Sequence, residues 1–211
     1  MTTIHQYLAH YPISPTSEKL IVGTIHPHDH ASFRVPFFYG NECSLWKILH
    51  EAFPDELLDP YQLDAILAFL HGRKIAMSDM ILECERTTPA ALDEDLIPRR
   101  LNHELLDQIR HSNIREILFT SGFGKNAAFK LFYSNILKRS ISATIRQEKE
   151  ILLEPNLFGR PVLLRILYSP SGTANTGLVR SKLFLERKDQ FRQFKAPVQA
   201  FKVDYYRRMF S

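Results

Sequence analysis

Cysteine is nearly absent from this sequence. Its 211 residues include only two cysteines, Cys43 and Cys84. Two thiols cannot supply the four thiolates of a structural zinc site or of an iron–sulfur cluster. The composition therefore argues against a thiolate-bound metal, and we expect the chain to use no cofactor.

The sequence also lacks the signals that direct a chain to a membrane. It contains no run of about 18 apolar residues. The N-terminal stretch "MTTIHQYLAHYPISP" has neither the charged nor the apolar region of a signal peptide. We therefore expect a cytoplasmic protein with no membrane partner, whose two cysteines do not form a disulfide.

Two common catalytic motifs are missing as well. The segment "SGFGKNA" does not have the spacing of a nucleoside triphosphate-binding loop, because Gly122 lies only three positions before Lys125. No Gly-x-Ser-x-Gly segment supports nucleophilic acyl transfer. These absences argue against nucleoside triphosphate binding and serine-hydrolase chemistry.

What the sequence does contain is a regular alternation of strand-like and helical segments. Hydrophobic residues make up 45% of it, and no repeat, low-complexity tract or Gly/Ser linker divides it, which predicts one domain over residues 1–211. Apolar strands are predicted at "KLIVGTI", "KIAMSDMIL", "REILFTSG" and "PVLLRILYSPSG". Helices are predicted at "CSLWKILHEAF", "DPYQLDAILAFLHG", "NHELLDQIRHS", "GKNAAFKLFYSN" and "LVRSKLFLERKDQFRQF". This order predicts an α/β fold with a mostly parallel sheet covered by helices on both faces.

Ligands of such sheets bind beyond the carboxyl ends of the strands. The segments that leave the predicted strands there are "HPHDHASFRVPFFYGN", "SDMILECERTTPAALDEDL", "SGFGK" and "SPSGTAN". The first holds His26, His28, Asp29 and His30. A metal on these side chains is conceivable, but histidine-rich loops without a metal are commoner, so we predict none. His26 or Asp29 could instead orient water or stabilise charge, and the other histidines could simply be solvated.

Two further features of these loops fit a nucleic-acid ligand. The aromatic run "FFYGN" is a plausible platform for a flat heterocycle, although Phe37 and Tyr39 could equally pack beneath the loop. "YSPSGTAN" carries small hydroxyl residues and a glycine, so that its backbone N–H groups could approach a phosphate, although an ordinary polar turn has the same composition.

The C-terminal part of the chain, from about residue 178, is predicted to form a basic helix and tail. From Arg180 to Ser211 there are nine basic and three acidic residues, a net charge of +6. Such a segment could attract a polyanion. Five of its aromatic residues are possible stacking surfaces: Phe184, Phe191, Phe194, Tyr205 and Tyr206. The favoured interpretation is a solvated helix face with an apolar side packed on the protein.

Taken together, the strand-end segments resemble the uracil-DNA glycosylase superfamily, most closely its mismatch-specific and hypoxanthine-type branches. The resemblance spans roughly Leu20 to Asn175 and depends on order and spacing. The matching segments are "GTIHP", "PFFYGNECSLWKIL", "GRKIAMSDMILECER", "NIREILFTSGFGKNAAFKLF" and "LYSPSGTAN". The resemblance implies a three-layer α/β/α sandwich with a short central sheet. It also implies hydrolysis of the bond between deoxyribose and a deaminated or mismatched base (uracil, hypoxanthine or xanthine), which is flipped out of the duplex.

The same resemblance implies roles for individual residues. Phe38 matches the family's stacking aromatic, and His26, with Asp29 or Asp79, would position the attacking water without any metal. The implied base-binding residues are Phe38, Tyr39, Cys43 and Thr120. The implied DNA-binding residues of the late loop are Ser169, Ser171, Gly172, Thr173 and Asn175. We expect a monomer whose partner is DNA containing a damaged or mismatched base.

The sequence departs from the family where catalytic amides are usual. The water-positioning asparagine of the mismatch branch is replaced by His26, and that of the hypoxanthine-type branch by Cys43. Ser169 and Thr120 stand at two further family positions. Two main hypotheses follow: a DNA glycosylase with unusual active-site residues, or a glycosylase-like protein that binds nucleobase or DNA without cleaving. A hydrolase of free nucleosides is a third alternative.

Overall fold

The computed structural model describes residues 1–89 and 92–211. Ala90 and Ala91, which belong to the predicted loop "SDMILECERTTPAALDEDL", lie outside the described residues. Among the described residues, no helix is both long enough and apolar enough to cross a membrane.

The chain divides into two compact units, and each is considered by itself. The prediction of one domain over residues 1–211 stays a prediction. We call the units the sheet unit, Met1–Ala31 with Leu70–Leu167, and the helical unit, Ser32–Phe69 with Tyr168–Ser211.

The sheet unit contains a five-stranded and a three-stranded sheet. The strands are β1 (Thr2–Ile4), β2 (Lys19–Gly23), β3 (Ile75–Asp79), β4 (Ile81–Glu85), β5 (Ile97–Leu101), β6 (Glu116–Phe119), β7 (Glu150–Leu153) and β8 (Val162–Ile166). The larger sheet has the order β3-β2-β6-β8-β7, in which all neighbours are parallel except β7 and β8. The smaller sheet has the order β1-β4-β5 and is antiparallel. The predicted α/β class, with a short and mostly parallel sheet, is confirmed.

The four parallel strands are the four that the sequence predicts, because each is an apolar run buried in a sheet. Leu20, Ile21 and Val22 of β2, for example, are completely buried. The prediction of a single strand at "KIAMSDMIL" is wrong: β3 ends at Asp79, and after Met80 the chain joins the other sheet as β4. This turn leaves Asp79 at the carboxyl end of a parallel strand.

The helices lie mostly where the sequence predicts them, except near the C-terminus. They are α1 (Ser44–Ala52), α2 (Leu63–Gly72), α3 (Leu105–Arg110), α4 (Ala128–Lys130, continued by a π-helical segment), α5 (Ala143–Glu148), α6 (Asn175–Leu178), α7 (Lys182–Arg187) and α8 (Pro197–Phe210). The single helix predicted over "LVRSKLFLERKDQFRQF" is wrong. Ser181 caps α7 by accepting a hydrogen bond from the Phe184 N–H group, which breaks the segment in two.

Each unit has its own core. In the sheet unit, the ring centroids of Phe129 and Phe132 lie 5.4 and 5.3 Å from the ring centroid of Phe119 on β6. In the helical unit, α8 packs against α1, and the Arg207 guanidinium donates a 3.0 Å hydrogen bond to the carbonyl of Ala52 at the end of α1. That bond satisfies a carbonyl that a helix end would otherwise leave unpaired.

Candidate functional site

Polar side chains gather at the carboxyl edge of the parallel strands in the sheet unit. Asp79 is the last residue of β3, Thr24 follows β2, and Thr120 and Ser121 follow β6. The Thr24 hydroxyl donates a 2.8 Å hydrogen bond to Asp93 Oδ2 and lies 3.2 Å from Ser121 Oγ. This edge, where ligands of parallel sheets bind, therefore carries two carboxylates among hydroxyl groups.

Asp79 is held by a histidine from the N-terminal segment. His5 Nε2 lies 2.8 Å from Asp79 Oδ2, and both side chains are at most 6% exposed. The N–H groups of Tyr7 and Leu8 donate to His5 Nδ1, which assigns the ring proton to Nε2, facing Asp79. Within residues 1–89 and 92–211, no group donates to the second oxygen of Asp79, Oδ1. Asp79 is thus a buried, oriented carboxylate that retains an acceptor site.

Two buried asparagines fix the backbone that carries these carboxylates. The Asn102 amide donates to the carbonyl of Asp79 at 3.1 Å. The Asn126 amide donates to the carbonyls of Asp93 and Leu96, both at 2.8 Å. The positions of both acidic side chains are therefore set by hydrogen bonds from distant parts of the chain.

Asp93 differs from Asp79 in its environment. Burial raises the pKa of the Asp93 carboxyl, the negative charge of Asp79 raises it further, and the hydrogen bond from Thr24 opposes the rise. A buried carboxyl whose pKa is raised beside a second carboxylate is a feature found at acid–base sites. Neither His5 nor Asp93 is indicated by any local sequence motif.

His26, the predicted water-positioning residue, is buried and bonded to backbone through both ring nitrogens. Its Nε2 accepts a 3.1 Å hydrogen bond from the Gln6 N–H group, and its Nδ1 donates a 2.7 Å bond to the carbonyl of Pro27. Burial lowers the pKa of His26 to about 4, although the bond to Pro27 opposes this. A neutral histidine bonded in this way can position water only after giving up one of the two bonds, and its catalytic role stays a prediction.

The rest of the histidine-rich loop is more open. His28 Nδ1 lies 3.0 Å from Thr3 Oγ1, and the rings of His26 and His30 are 5.3 Å apart. Asp29 is exposed and, with His28 and His30, lines a shallow depression of about 330 Å³. In the part of the chain that the structure describes, no three His, Cys, Asp or Glu side chains come together in a way that could hold a metal ion.

The predicted aromatic platform belongs to the helical unit and is buried there. Phe37 and Phe38 are each 1% exposed, and their rings lie edge to face with centroids 5.1 Å apart. The Trp46 indole N–H donates a 2.8 Å hydrogen bond to the carbonyl of Phe38. Phe38 is thus packed in the core of its unit, and its stacking role stays a prediction.

The turn after Phe38 requires a glycine. A Cβ atom on Gly40 would lie only 1.8 Å from the carbonyl oxygen of Val35. Tyr39 and Cys43, on either side, have positive φ angles of 58° and 51°. The Cys43 thiol donates to the carbonyl of Gly40 at 3.5 Å, and burial raises its pKa, which favours the thiol over the reactive thiolate.

The late loop of the helical unit is braced by its own hydroxyl groups. Ser169 Oγ accepts a hydrogen bond from the Ser171 N–H group, and Ser171 Oγ accepts one from the Thr173 N–H group, each at 3.3 Å. Gly172 and Thr173 are exposed. The side-chain oxygen of Asn175 is buried and accepts no hydrogen bond from any described residue. Small hydroxyl residues therefore shape a compact loop with an exposed tip.

The basic C-terminal segment is only partly a charged surface. Asp204 pairs with Arg187 at 2.6 Å and with Arg208 at 3.1 Å. Of the five aromatic residues proposed as stacking surfaces, Phe194 is 49% exposed. The other four are buried: Phe184, Phe191, Tyr205 and Tyr206. The favoured interpretation, a charged face with its aromatic side packed inward, describes this segment better than a row of stacking rings.

The structure thus brings some predicted site residues together and leaves others in separate groups. His26 and Asp79 are neighbours through His5, whose ring lies 5.0 Å from that of His26. Thr120 is buried at the same edge of the sheet and donates to the carbonyl of Val22 at 3.3 Å. The remaining predicted residues, apart from Asp29, belong to the helical unit: Phe38, Tyr39, Cys43, Ser169, Ser171, Gly172, Thr173 and Asn175.

Comparison with known proteins supports the fold. No protein-family model matches the sequence, and no curated protein matches it. A solution NMR structure from Methanosarcina acetivorans, described as a "putative Uracil DNA glycosylase", is similar over 100% of both chains, with a TM-score of 0.52 and 18% sequence identity. The chain therefore shares the α/β fold of that structure.

Proposed function

We propose that the protein is a DNA glycosylase that hydrolyses the bond between deoxyribose and a deaminated or mismatched base. The observation that carries this proposal is the buried Asp79 carboxylate, oriented by His5 at the ligand-binding edge of the sheet. The fold shared with the Methanosarcina protein supports the same conclusion. Uracil, hypoxanthine and xanthine are the proposed substrates.

The proposed reaction begins when the target base leaves the duplex stack. The bond between the sugar carbon C1′ and the base nitrogen breaks, and its electron pair leaves with the base while positive charge develops on the sugar. The Asp79 carboxylate stabilises that charge and accepts a hydrogen bond from the attacking water through Oδ1. The water oxygen bonds to C1′, its proton passes to Asp79, and the departing base is protonated by solvent. No metal is needed for these steps.

In this proposal, His5 and His26 are positioning residues. The bonds from His26 to Gln6 and Pro27 tie the N-terminal segment to the loop after β2. That tie keeps His5 beside Asp79, and the His5 proton fixes the carboxylate in one orientation. His26 therefore acts on the water indirectly, through the position of Asp79.

The helical unit is proposed to bind the DNA. Its late loop, from Ser169 to Asn175, presents an exposed tip with backbone N–H and hydroxyl groups that suit phosphate oxygens. Exposed basic residues after about residue 178 would add affinity that does not depend on sequence. Base stacking on Phe38, action as a monomer and a cytoplasmic location are further parts of the proposal.

The test is release of free base from duplexes that carry uracil, hypoxanthine or xanthine, followed by alkaline cleavage at the abasic site. We expect release by the wild type and loss of release in Asp79→Asn, which keeps the shape of the side chain but removes its charge. Asp55→Asn is the matched control, because Asp55 is exposed in the helical unit. Release that is unchanged in Asp79→Asn would overturn the assigned mechanism.

One observation favours a second candidate function, a glycosylase-like protein that binds without cleaving. The residue that stands where related enzymes keep a catalytic amide, His26, has both ring nitrogens bonded to backbone. DNA or nucleobase binding by the wild type, with no release of any of the three bases, would favour this second function.

A further inference from the structure

Lys202, on α8, is buried beneath the late loop. It is 2% exposed, and its ammonium group donates hydrogen bonds to the carbonyls of Ser171 at 2.9 Å and Pro170 at 3.3 Å. One turn along α8, the Tyr206 hydroxyl donates to the carbonyl of Tyr168 at 2.7 Å. Helix α8 therefore donates hydrogen bonds to three carbonyls of the loop, and two of the three accept from a buried cation.

The bond to Ser171 sets the direction of the next amide. In a trans peptide the carbonyl and the following N–H group point in opposite directions, and the described residues contain no cis peptide. Because the Ser171 carbonyl faces Lys202, the Gly172 N–H group faces away from it. Gly172 is exposed, and its N–H group meets no acceptor in the described part of the chain. The hydroxyl groups of Ser171 and Thr173, 2.8 Å apart, lie at the same tip.

The charge of Lys202 is not neutralised locally. No carboxylate among the described residues pairs with it, and burial alone lowers its pKa, to about 8. The acidic groups of α8 and of the elements packed against it have other partners, and the pKa of Tyr206 lies far above this range. Those groups pair as follows: Asp204 with Arg187 and Arg208, Asp189 with Arg192, and Glu51 with Gln199.

We propose that Lys202 is a positioning residue for DNA binding, which aims the Gly172 N–H group at a backbone phosphate and supplies a buried positive charge behind it. This inference rests on the proposed function, because it names a residue through which the late loop would hold DNA. The outward amide and the paired hydroxyl groups are donors for the phosphate oxygens. The cation raises the attraction of the whole loop for an anion, since a charge shielded from water is weakly screened.

Three variants separate the charge from the shape of the side chain. Lys202→Met keeps the length and removes the charge and both hydrogen bonds. Lys202→Arg keeps a charge that does not titrate. Tyr206→Phe is the matched control, because it removes one hydrogen bond to the same loop without changing any charge near neutral pH. Urea unfolding of each variant checks that it folds.

The assay is the anisotropy of a fluorescent DNA duplex that contains a tetrahydrofuran abasic-site analogue, titrated with each protein from about pH 7 to about pH 9. Near pH 7 we expect about tenfold weaker binding for Lys202→Met and a change of less than about twofold for Tyr206→Phe. Wild-type affinity should fall as the pH rises through about 8. The affinity of Lys202→Arg should not show this fall, a difference that a merely structural role of Lys202 would not produce.

The outcomes distinguish this inference from the proposed function. If the wild type releases base but Lys202→Met binds DNA with the wild-type affinity and pH profile, the inference is overturned and the glycosylase proposal stands. If Lys202→Met loses affinity while the wild type releases no base, the inference stands and the glycosylase proposal fails. A wild type that neither binds the duplex nor releases base would overturn both.

Discussion

His26 should make the stability of the protein strongly dependent on pH below neutrality. Burial lowers its pKa from 6.5 to about 4 in the folded protein. Between these two values the unfolded chain binds more protons than the folded one, so the free energy of unfolding rises with pH. The full stability is present above about pH 6.5 and is lost as the pH falls towards about 4.

The size of the effect follows from the same two values. A pKa difference of one corresponds to about 1.4 kcal/mol, so the protonation of His26 can remove at most about 3 kcal/mol of stability. Solvent screening reduces this limit little, because the His26 side chain is buried, with only 5% of the residue exposed. For a domain of ordinary stability, about 5 to 15 kcal/mol, such a loss is easily measured.

The assay is urea unfolding at a series of pH values from about 4 to about 7, on the wild type and on His26→Gln. Glutamine retains an acceptor for the Gln6 N–H group but does not titrate, so the variant should lose up to about 3 kcal/mol less than the wild type over this range. His71→Gln is the control, since His71 is exposed. Identical pH dependence in the wild type and in His26→Gln would refute the reasoning.

Three further substitutions test the carboxylates and the aromatic turn. Asp79→Asn should slow single-turnover base release by at least about 100-fold while the circular dichroism spectrum stays native, and a smaller effect would remove Asp79 from the chemistry. Asp93→Asn should raise the free energy of unfolding measured in urea at pH 7, because the pKa of the Asp93 carboxyl is raised in the folded protein and its charged form therefore costs stability as the pH rises; a lower free energy of unfolding would contradict this. Gly40→Ala should destabilise the protein by about 3 kcal/mol in urea unfolding, because its Cβ would overlap the Val35 carbonyl oxygen, whereas Gly124→Ala, which has open space, should change it by less than about 1 kcal/mol.

The parallel strands could be predicted from the sequence because they are rich in apolar residues, and burial on both faces leaves a continuous apolar run in β2. The strands of the smaller sheet could not. β5 reads "IPRRL" and has no fully buried residue, so neither apolar content nor alternation marks it. Its pairing with β4 depends on a distant part of the chain, which a local pattern does not contain.

The candidate site shows the same division between local and distant information. The resemblance to a known superfamily predicts Asp79, which lies in the segment "SDMILECERTTPAALDEDL" that leaves a predicted strand. His5 could not be predicted, since 74 positions separate it from Asp79 and nothing around it has a catalytic pattern. The role of His26 stays a prediction: its two ring nitrogens are bonded to the backbone of Gln6 and Pro27, and no spacing rule reveals such partners.

Lys202 illustrates why charge patterns in a sequence mislead at helix faces. In "AFKVDYY" it reads as one more basic residue of a solvated segment, yet it is 2% exposed while its neighbour Asp204 pairs with arginines. The two side chains differ in their partners: Asp204 forms ion pairs with guanidinium groups, and Lys202 donates hydrogen bonds to loop carbonyls. Burial of an ammonium group without a carboxylate costs stability. The two carbonyls that accept from the ammonium group offset this cost. The conformation of the loop and the protonation of Lys202 are therefore coupled. An anionic ligand at the loop should stabilise both the loop conformation and the protonated form of Lys202.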